Sequence, residues 1–237
     1  MIYVLVFLVS AFGAFIQAVT GFGAAIFMML FFSLFMPITD ATAINGILCL
    51  GSNVTNAVTY RKHIQWKLIP LPTIAFFVCS FASIRLAKVM DTGLLKKVFG
   101  VVLILLSVYF LFIAKKIHIR STPLSSAACG AVSGVTGGLF GASGPPMVLY
   151  LLAATDTKEA YLGTMQMFCL VTGLWSLGVR LANHYYTAAM LPSIALGIVG
   201  VLIGQFIGAK VVHKISADTL RVIVYCFLAV SGVINII

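Results

Sequence analysis

The sequence predicts an all-α polytopic membrane protein with two homologous halves, each containing a broken or re-entrant glycine-rich helix. Of its 237 residues, 62% are hydrophobic and 8% are charged, against about 25% charged in an ordinary soluble domain. The apolar residues form successive stretches of roughly 20 residues bounded by charges, which is the length that crosses a hydrocarbon core. Short motifs of the first half also recur in the second half.

Charged and turn-forming residues divide the chain into predicted helices. We assign residues 1–114 to a first transmembrane repeat, 115–123 to a basic linker and 124–237 to a second repeat. The helices of the first repeat are predicted near Tyr3–Thr20, Ala24–Met36, Ala41–Tyr60, Leu68–Lys88 and Leu94–Ala114. Those of the second are predicted near Leu124–Thr136, Pro145–Ala154, Lys158–Leu181, Ala188–Val212 and Asp218–Ile237.

The evidence for a duplication is a series of motifs that recur in the same order. Each recurrence alone is weak, but together they indicate an internal repeat, as is common in secondary transporters. The matched segments are Val19-Thr20-Gly21 with Val135-Thr136-Gly137, Thr39-Asp40 with Thr155-Asp156, Leu71-Pro72-Thr73-Ile74-Ala75 with Leu191-Pro192-Ser193-Ile194-Ala195, and Asp91-Thr92 with Asp218-Thr219.

The orientation of the halves depends on the first two helices of each. If each pair is a re-entrant hairpin, the halves are inverted; if each pair is one broken span, they are parallel. The re-entrant arrangement places most of the fifteen Lys and Arg residues on one side, as the positive-inside rule requires, whereas the broken-span arrangement divides them almost evenly. We therefore predict inverted repeats in the cell inner membrane, with both termini outside.

Several function classes are disfavoured. The formal charge of +10 comes from basic residues in short connections between apolar stretches, which cytoplasmic retention explains better than nucleic-acid binding. The five cysteines are isolated, so we expect neither a metal site nor a cofactor. All acids and histidines fall at or near segment ends, and no carboxylate dyad, HExxH helix or buried Ser/His pair can be assembled. We therefore expect no enzymatic activity.

Two glycine-rich segments interrupt apolar helices at corresponding places in the halves. Glycine permits the backbone angles of a break, and proline suits the first turn of a new helix. Backbone N–H groups freed in a break must face protein, water or a ligand, and a helix N-terminus favours an anion. Close helix packing is the alternative explanation. The candidate binding residues are Gln17, one turn before the first break, with Thr20, Gly21, Phe22 and Gly23, and Thr136, Gly137, Gly138, Gly141, Ser143, Gly144 and Pro145.

The run Gly137-Gly138-Leu139-Phe140-Gly141-Ala142-Ser143-Gly144-Pro145-Pro146 and its plainer partner Gly21-Phe22-Gly23-Ala24-Ala25 resemble the two glycine-rich signatures of the TauE/SafE family. The resemblance spans nearly the whole chain. It implies export or exchange of sulfite, a sulfonate or a related sulfur-containing anion. The first segment departs from the signature because alanines stand where many members continue with glycine.

Uncharged polar side chains add candidates on the long helices. Asn53 and Asn56 lie on the second main helix and Gln166 on its counterpart in the other half. Amides bind an oxyanion without the desolvation cost of a buried charge, although hydrogen bonding between helices explains each residue equally well. Arg85 and Arg180 are expected to snorkel at helix ends, with approach to a vestibule as the alternative.

These observations together predict a secondary transporter, with export the expected direction, that binds a small anionic solute between the two helix breaks. The bilayer is its other partner, H+ or Na+ is the candidate coupling ion, and no nucleic acid is expected. A passive anion channel and a structural or accessory membrane subunit remain as alternatives.

Overall fold

The computed structural model describes residues 2–21, 23–108 and 121–211, which form nine α-helices without strands. The predicted all-α class is confirmed. The helices are α1 (Ile2–Thr20), α2 (Ala24–Phe35), α3 (Ile38–Thr59), α4 (Pro70–Val89), α5 (Thr92–Val108), α6 (Pro123–Phe140), α7 (Gly144–Ala154), α8 (Lys158–Ala182) and α9 (Leu191–Val211). Most of the basic linker and the last predicted helix, Asp218–Ile237, lie outside the described residues.

Four stretches within the described residues are long and apolar enough to cross a membrane: Ile2–Val19, Trp66–Val89, Lys158–Ala182 and Ala188–Val211. Helices α2 and α7 have only 12 and 11 residues. At 1.5 Å per residue they are roughly 18 and 16 Å long, little more than half of the hydrocarbon thickness. The protein therefore combines full spans with half-length helices.

The first half-length helix folds back along its predecessor. The ring of Phe12 on α1 lies 5.3 Å from that of Phe27 on α2, and a Cβ at Gly13 would approach the side chain of Met28 to 2.9 Å. Helices α1 and α2 thus form a hairpin around the break, and its re-entrant placement in the membrane stays a prediction. The sidedness of the halves in the membrane stays a prediction.

Helix packing exchanges partners between the halves. The three most extensive pairings are α1 with α9, α4 with α6, and α3 with α8. The first helix of each predicted repeat therefore packs against a late helix of the other repeat, while the two long polar helices, α3 and α8, pack against each other. This arrangement brings the two breaks close together, so that both line one cavity.

Glycines permit the first two pairings. On α9, a Cβ at Gly200 would lie 2.5 Å from the carbonyl oxygen of Phe7, and a Cβ at Gly204 would overlap the backbone carbonyl of Ala11. On α6, a Cβ at Gly134 would lie 2.7 Å from the carbonyl oxygen of Phe76. Small residues that let backbones approach closely are how helices associate in lipid, where no hydrophobic force drives them together.

Several predicted helix boundaries differ from the observed ones by a few residues, at the starts of α3, α4, α5 and α9 and at the end of α6. Helix α6 does not end at Thr136 but continues to Phe140, so Gly137 and Gly138 are helical. Their glycine backbones pack against α4, where a Cβ at Gly138 would meet the Ser83 side chain at 2.6 Å, and this contact holds the helix together where local propensity would break it. Helix α3 begins at Ile38 and not at Ala41, directly after Pro37.

Candidate functional site

A cavity of about 70 Å³ lies between the two helix breaks and the crossing of α3 and α8. Since one water molecule needs roughly 10 to 15 Å³ of such volume, the cavity has room for several waters or one small anion. Its wall mixes glycines with polar side chains, and its lining includes Gln17, Gly21, Gly23, Gly46, Cys49, Asn53, Phe76, Gly137, Gly141, Ser143, Gly144, Met165, Gln166, Cys169, Thr172, Ser176, Arg180 and Tyr186.

The first break joins α1 to α2 through two glycines with left-handed backbone angles. Gly21 has φ 82° and Gly23 has φ 101°, values that L side chains adopt rarely. Gly23 is the N-cap of α2 and provides no side-chain cap. The first N–H groups of α2 therefore begin at the cavity wall without a side-chain acceptor.

The second break joins α6 to α7 and is closely similar. Gly141, with φ 68°, ends α6 in the left-handed conformation that commonly terminates helices. Ser143 is the N-cap of α7, and its hydroxyl does not cap the helix. Pro145 and Pro146 have no N–H group, so Gly144, which lines the cavity, is the one of the first three residues of α7 that retains a backbone donor.

Asn45 connects the two breaks. Its side chain is fully buried, and its Nδ2 donates to the backbone carbonyl of Ala25 in the first turn of α2 at 3.0 Å. The same nitrogen lies 3.2 Å from the position that a Cβ would occupy at Gly141. A side chain larger than hydrogen at Gly141 would therefore press on the residue that holds the other break.

Three amide side chains meet at one end of the cavity. Gln17 Nε2 donates to Asn53 Oδ1 at 2.9 Å and to Gln166 Oε1 at 3.1 Å. Gln166 Nε2 donates to the carbonyl oxygen of Gly21 at 2.7 Å. This amide cluster joins α1, α3 and α8 and satisfies a carbonyl that the first break has freed.

Arg180 lies at the other end of the cavity and is only 2% exposed. The expectation that it snorkels at a helix end was wrong, whereas Arg85 is exposed, with its guanidinium 4.4 Å from the Phe81 ring centroid. A Cβ at Gly46 would lie 3.3 Å from Arg180 Nη1. Gly46 and Asn53 are about two turns apart on α3, so Arg180 and the amide cluster meet the cavity at different levels along that helix.

The Arg180 guanidinium is held by backbone carbonyls. Its Nη2 donates to Gly138 O at 2.9 Å and, weakly, to Gly137 O at 3.4 Å, and Nη1 reaches Thr42 O at 3.5 Å. The first two carbonyls belong to the last turn of α6, whose macrodipole attracts a cation. Nε is buried without a partner, and within the described part of the chain the guanidinium forms no ion pair with a carboxylate.

Two tyrosines follow α8 and lie beside Arg180. Tyr185 donates to Ile84 O at 2.6 Å, and Tyr186, which lines the cavity, donates to Ala43 O at 3.3 Å. Burial raises the pKa of both phenols, and the nearby Arg180 charge offsets part of that increase. Both phenols therefore remain protonated near neutral pH and leave the charge of Arg180 unbalanced.

Most of the predicted site residues line this cavity, namely Gln17, Gly21, Gly23, Asn53, Gly137, Gly141, Ser143, Gly144 and Gln166. Four do not. Asn56 is half-buried one turn beyond Asn53, Pro145 is buried behind the break, Gly138 contributes only its carbonyl to Arg180, and Thr136 bonds the helical carbonyl of Val132. Thr20 ends α1, but its side chain and all of Phe22 lie outside the described residues.

Arg180 is the main site residue that the sequence analysis did not select. A signal was present, because Thr172, Ser176 and Arg180 recur every four residues and so share one face of α8. That face lines the cavity. The spacing alone does not identify Arg180 as a site residue, because an arginine near a helix end in a membrane protein usually lies at the interface.

Comparison with known proteins agrees with this architecture. A family model described as "Sulfite exporter TauE/SafE" matches residues 6–234. The "Probable membrane transporter protein" of Methanocaldococcus jannaschii is 28% identical over 185 residues, covering 72% of this chain and 68% of that protein. No solved structure matches the chain. The chain is thus similar to membrane transporters.

Proposed function

The chain belongs to the sulfite exporter TauE/SafE family and is a multi-pass membrane transporter, and we propose that it exports a small anion such as sulfite, a sulfonate or a related organosulfur anion. The anion would bind in the central cavity and be exposed alternately to each side of the cell inner membrane. Arg180 carries the proposal, because its buried guanidinium pairs with no carboxylate among the described residues, and such a charge is costly unless an anion binds to it.

The hydrogen bonds around the breaks support the same conclusion. Where the helices end, carbonyls are occupied by protein donors: Gln166 bonds Gly21 O and Arg180 bonds Gly138 O. Where α2 and α7 begin, no side chain caps the free N–H groups. These carbonyls are thus occupied while N–H donors at the helix starts have no side-chain cap, and donors are what an oxyanion requires.

The hairpin arrangement supports alternating access. Half-length helices that meet at a central site, with one repeat packed against the other, are typical of secondary transporters. Helix α1 packs on α9, and α6 on α4, through glycines. Because few large side chains interlock at these contacts, the helices can shift along each other. A rocking motion of one repeat against the other would expose the cavity to either side.

Flux through purified protein tests the proposal. Proteoliposomes should take up labelled sulfite with saturation, and unlabelled sulfite inside should accelerate that uptake by exchange, which a channel does not do. Imposing a pH gradient and a Na+ gradient separately identifies the coupling ion. Arg180→Gln should abolish flux, whereas Arg85→Gln, which removes an exposed arginine outside the cavity, should not. Equal flux in both variants, or in empty liposomes, would refute the proposal.

A further inference from the structure

The charges around the central cavity indicate the charge of the bound ligand, which membership of the family does not specify. Resting on the proposed function, we infer that the cavity binds its substrate as a monoanion, so that a weak diacid such as sulfite is bound and carried in its singly protonated form. The inference uses Arg180, the ends of the broken helices and the ionisable groups of the cavity wall.

The helix ends contribute little net charge. Each break presents one helix C-terminus and one N-terminus to the cavity, and each terminus acts as about half a unit charge of opposite sign. The C-terminus of α6 is further occupied by the guanidinium of Arg180. To first order the half-charges of α1, α2, α6 and α7 cancel, and the whole charge of Arg180 remains.

Among the described residues, the other ionisable groups that line the cavity or lie directly beside the guanidinium are neutral at physiological pH, whereas Lys88 and His184 lie outside the lining. Cys49 on α3 and Cys169 on α8 line the cavity, and a thiol is mostly protonated below about pH 8. Tyr185 and Tyr186 are phenols whose pKa is raised by burial. Among the described lining residues, the net charge of the wall is therefore the single positive charge of the guanidinium.

Asp40 is the acid nearest in sequence to the carbonyl that Arg180 contacts. It lies two residues before Thr42 in the first turn of α3 and bonds the Thr39 hydroxyl at 3.5 Å. It is not among the residues that line the cavity. No described carboxylate therefore offsets the charge of Arg180 inside the cavity.

One positive charge matches one negative charge. A monoanion beside Arg180 makes the occupied cavity neutral, whereas a dianion leaves one uncompensated charge in a small, water-poor space, where charges are costly. The small cavity makes this distinction strong, because it leaves room for few waters to share the second charge.

Sulfite is a suitable probe because hydrogen sulfite loses its proton near neutral pH. We propose to measure binding to the purified full-length protein by calorimetry between pH 6 and 9. The reference ligand is methanesulfonate, which carries one charge throughout this range. An arginine keeps its charge over the same range.

If only the monoanion binds, the apparent affinity for total sulfite falls about tenfold per pH unit above the titration of hydrogen sulfite, following the monoanion fraction. Comparing the binding enthalpy in two buffers of different ionisation enthalpy gives the number of protons taken up. Above the titration of hydrogen sulfite, this number should be close to one per sulfite bound. The affinity of methanesulfonate should stay constant, without proton uptake. Arg180→Lys, which keeps the charge, should retain the slope.

Failure of this inference can be told apart from failure of the proposed function. Sulfite affinity that is constant or rises with pH would show that the dianion binds, so the inference fails while anion transport stands. If the affinities for sulfite and methanesulfonate fall together as pH rises, the pH dependence belongs to a group of the protein, and the inference is also refuted. If neither anion binds at any pH, the proposed function itself fails.

Discussion

Replacing Arg180 distinguishes an anion-binding role from a structural role of this side chain, because the two roles predict different effects on stability. Its one short hydrogen bond, to Gly138 O at 2.9 Å, contributes about 1.5 to 3 kcal/mol as a charge-assisted bond, and its bonds at 3.4 and 3.5 Å contribute less. Against this, keeping a guanidinium buried without a counterion costs several kcal/mol. The Arg180→Gln protein should therefore be as stable as the wild type, or more so.

Binding should respond in the opposite direction. A hydrogen bond from a charged donor to an oxyanion contributes about 1.5 to 3 kcal/mol, so losing Arg180 should weaken anion affinity by at least tenfold. Melting temperature in detergent and affinity for sulfite should be measured on the same preparations of the Arg180→Gln, Arg180→Lys and Arg85→Gln variants. Lysine keeps the charge but not the planar fork, so its affinity should be intermediate.

A large loss of stability in Arg180→Gln would refute this reasoning if its affinity for sulfite matched that of Arg85→Gln. Arg180 would then be a clamp on the last turn of α6 and not an anion-binding group. Comparison with Arg85 is essential, because that side chain is exposed and its guanidinium lies over the Phe81 ring, outside the cavity lining.

Three further predictions concern the amides and the glycines. Asn53→Ala should weaken sulfite affinity by roughly tenfold, whereas Asn56→Ala, one turn away and outside the cavity lining, should leave calorimetric affinity unchanged; equal effects would assign both to helix packing. Gly204→Ala should lower the melting temperature by the equivalent of about 1 to 3 kcal/mol, because the new Cβ overlaps the carbonyl of Ala11, and Gly178→Ala, with open space around it, is the control that should not. Gly141→Ala should lower the free energy of unfolding by only about 1 kcal/mol, because Gly141 has a φ of 68°, but it should strongly reduce sulfite flux. Normal flux would show that this break tolerates a side chain.

Composition and periodicity were sufficient to predict the class of the protein. Uninterrupted apolar stretches require a bilayer, and in a bilayer only helices and closed barrels satisfy the backbone, so the all-α membrane fold follows without any knowledge of contacts. Glycine clusters such as Gly21 with Gly23 predicted breaks, because their permitted backbone angles are a local property. Gln17 was selected because it lies one turn before the first break, and Asn53 and Gln166 were selected as uncharged polar side chains on the long helices.

Tertiary packing decided what local chemistry left open. The two glycine roles could not be separated in advance: Gly141 breaks a helix, whereas Gly138 stays helical because the backbone of α4 passes against it. The same limit applied to Arg180, which is equally compatible with the membrane interface and with the interior. Its burial at the α6 C-terminus depends on carbonyls from a segment some forty residues away. The sequence alone determined that two breaks and several amides exist, and only the crossing of α3 and α8 brought them, with Arg180, around one cavity, because long-range contacts are set by the packing of whole helices.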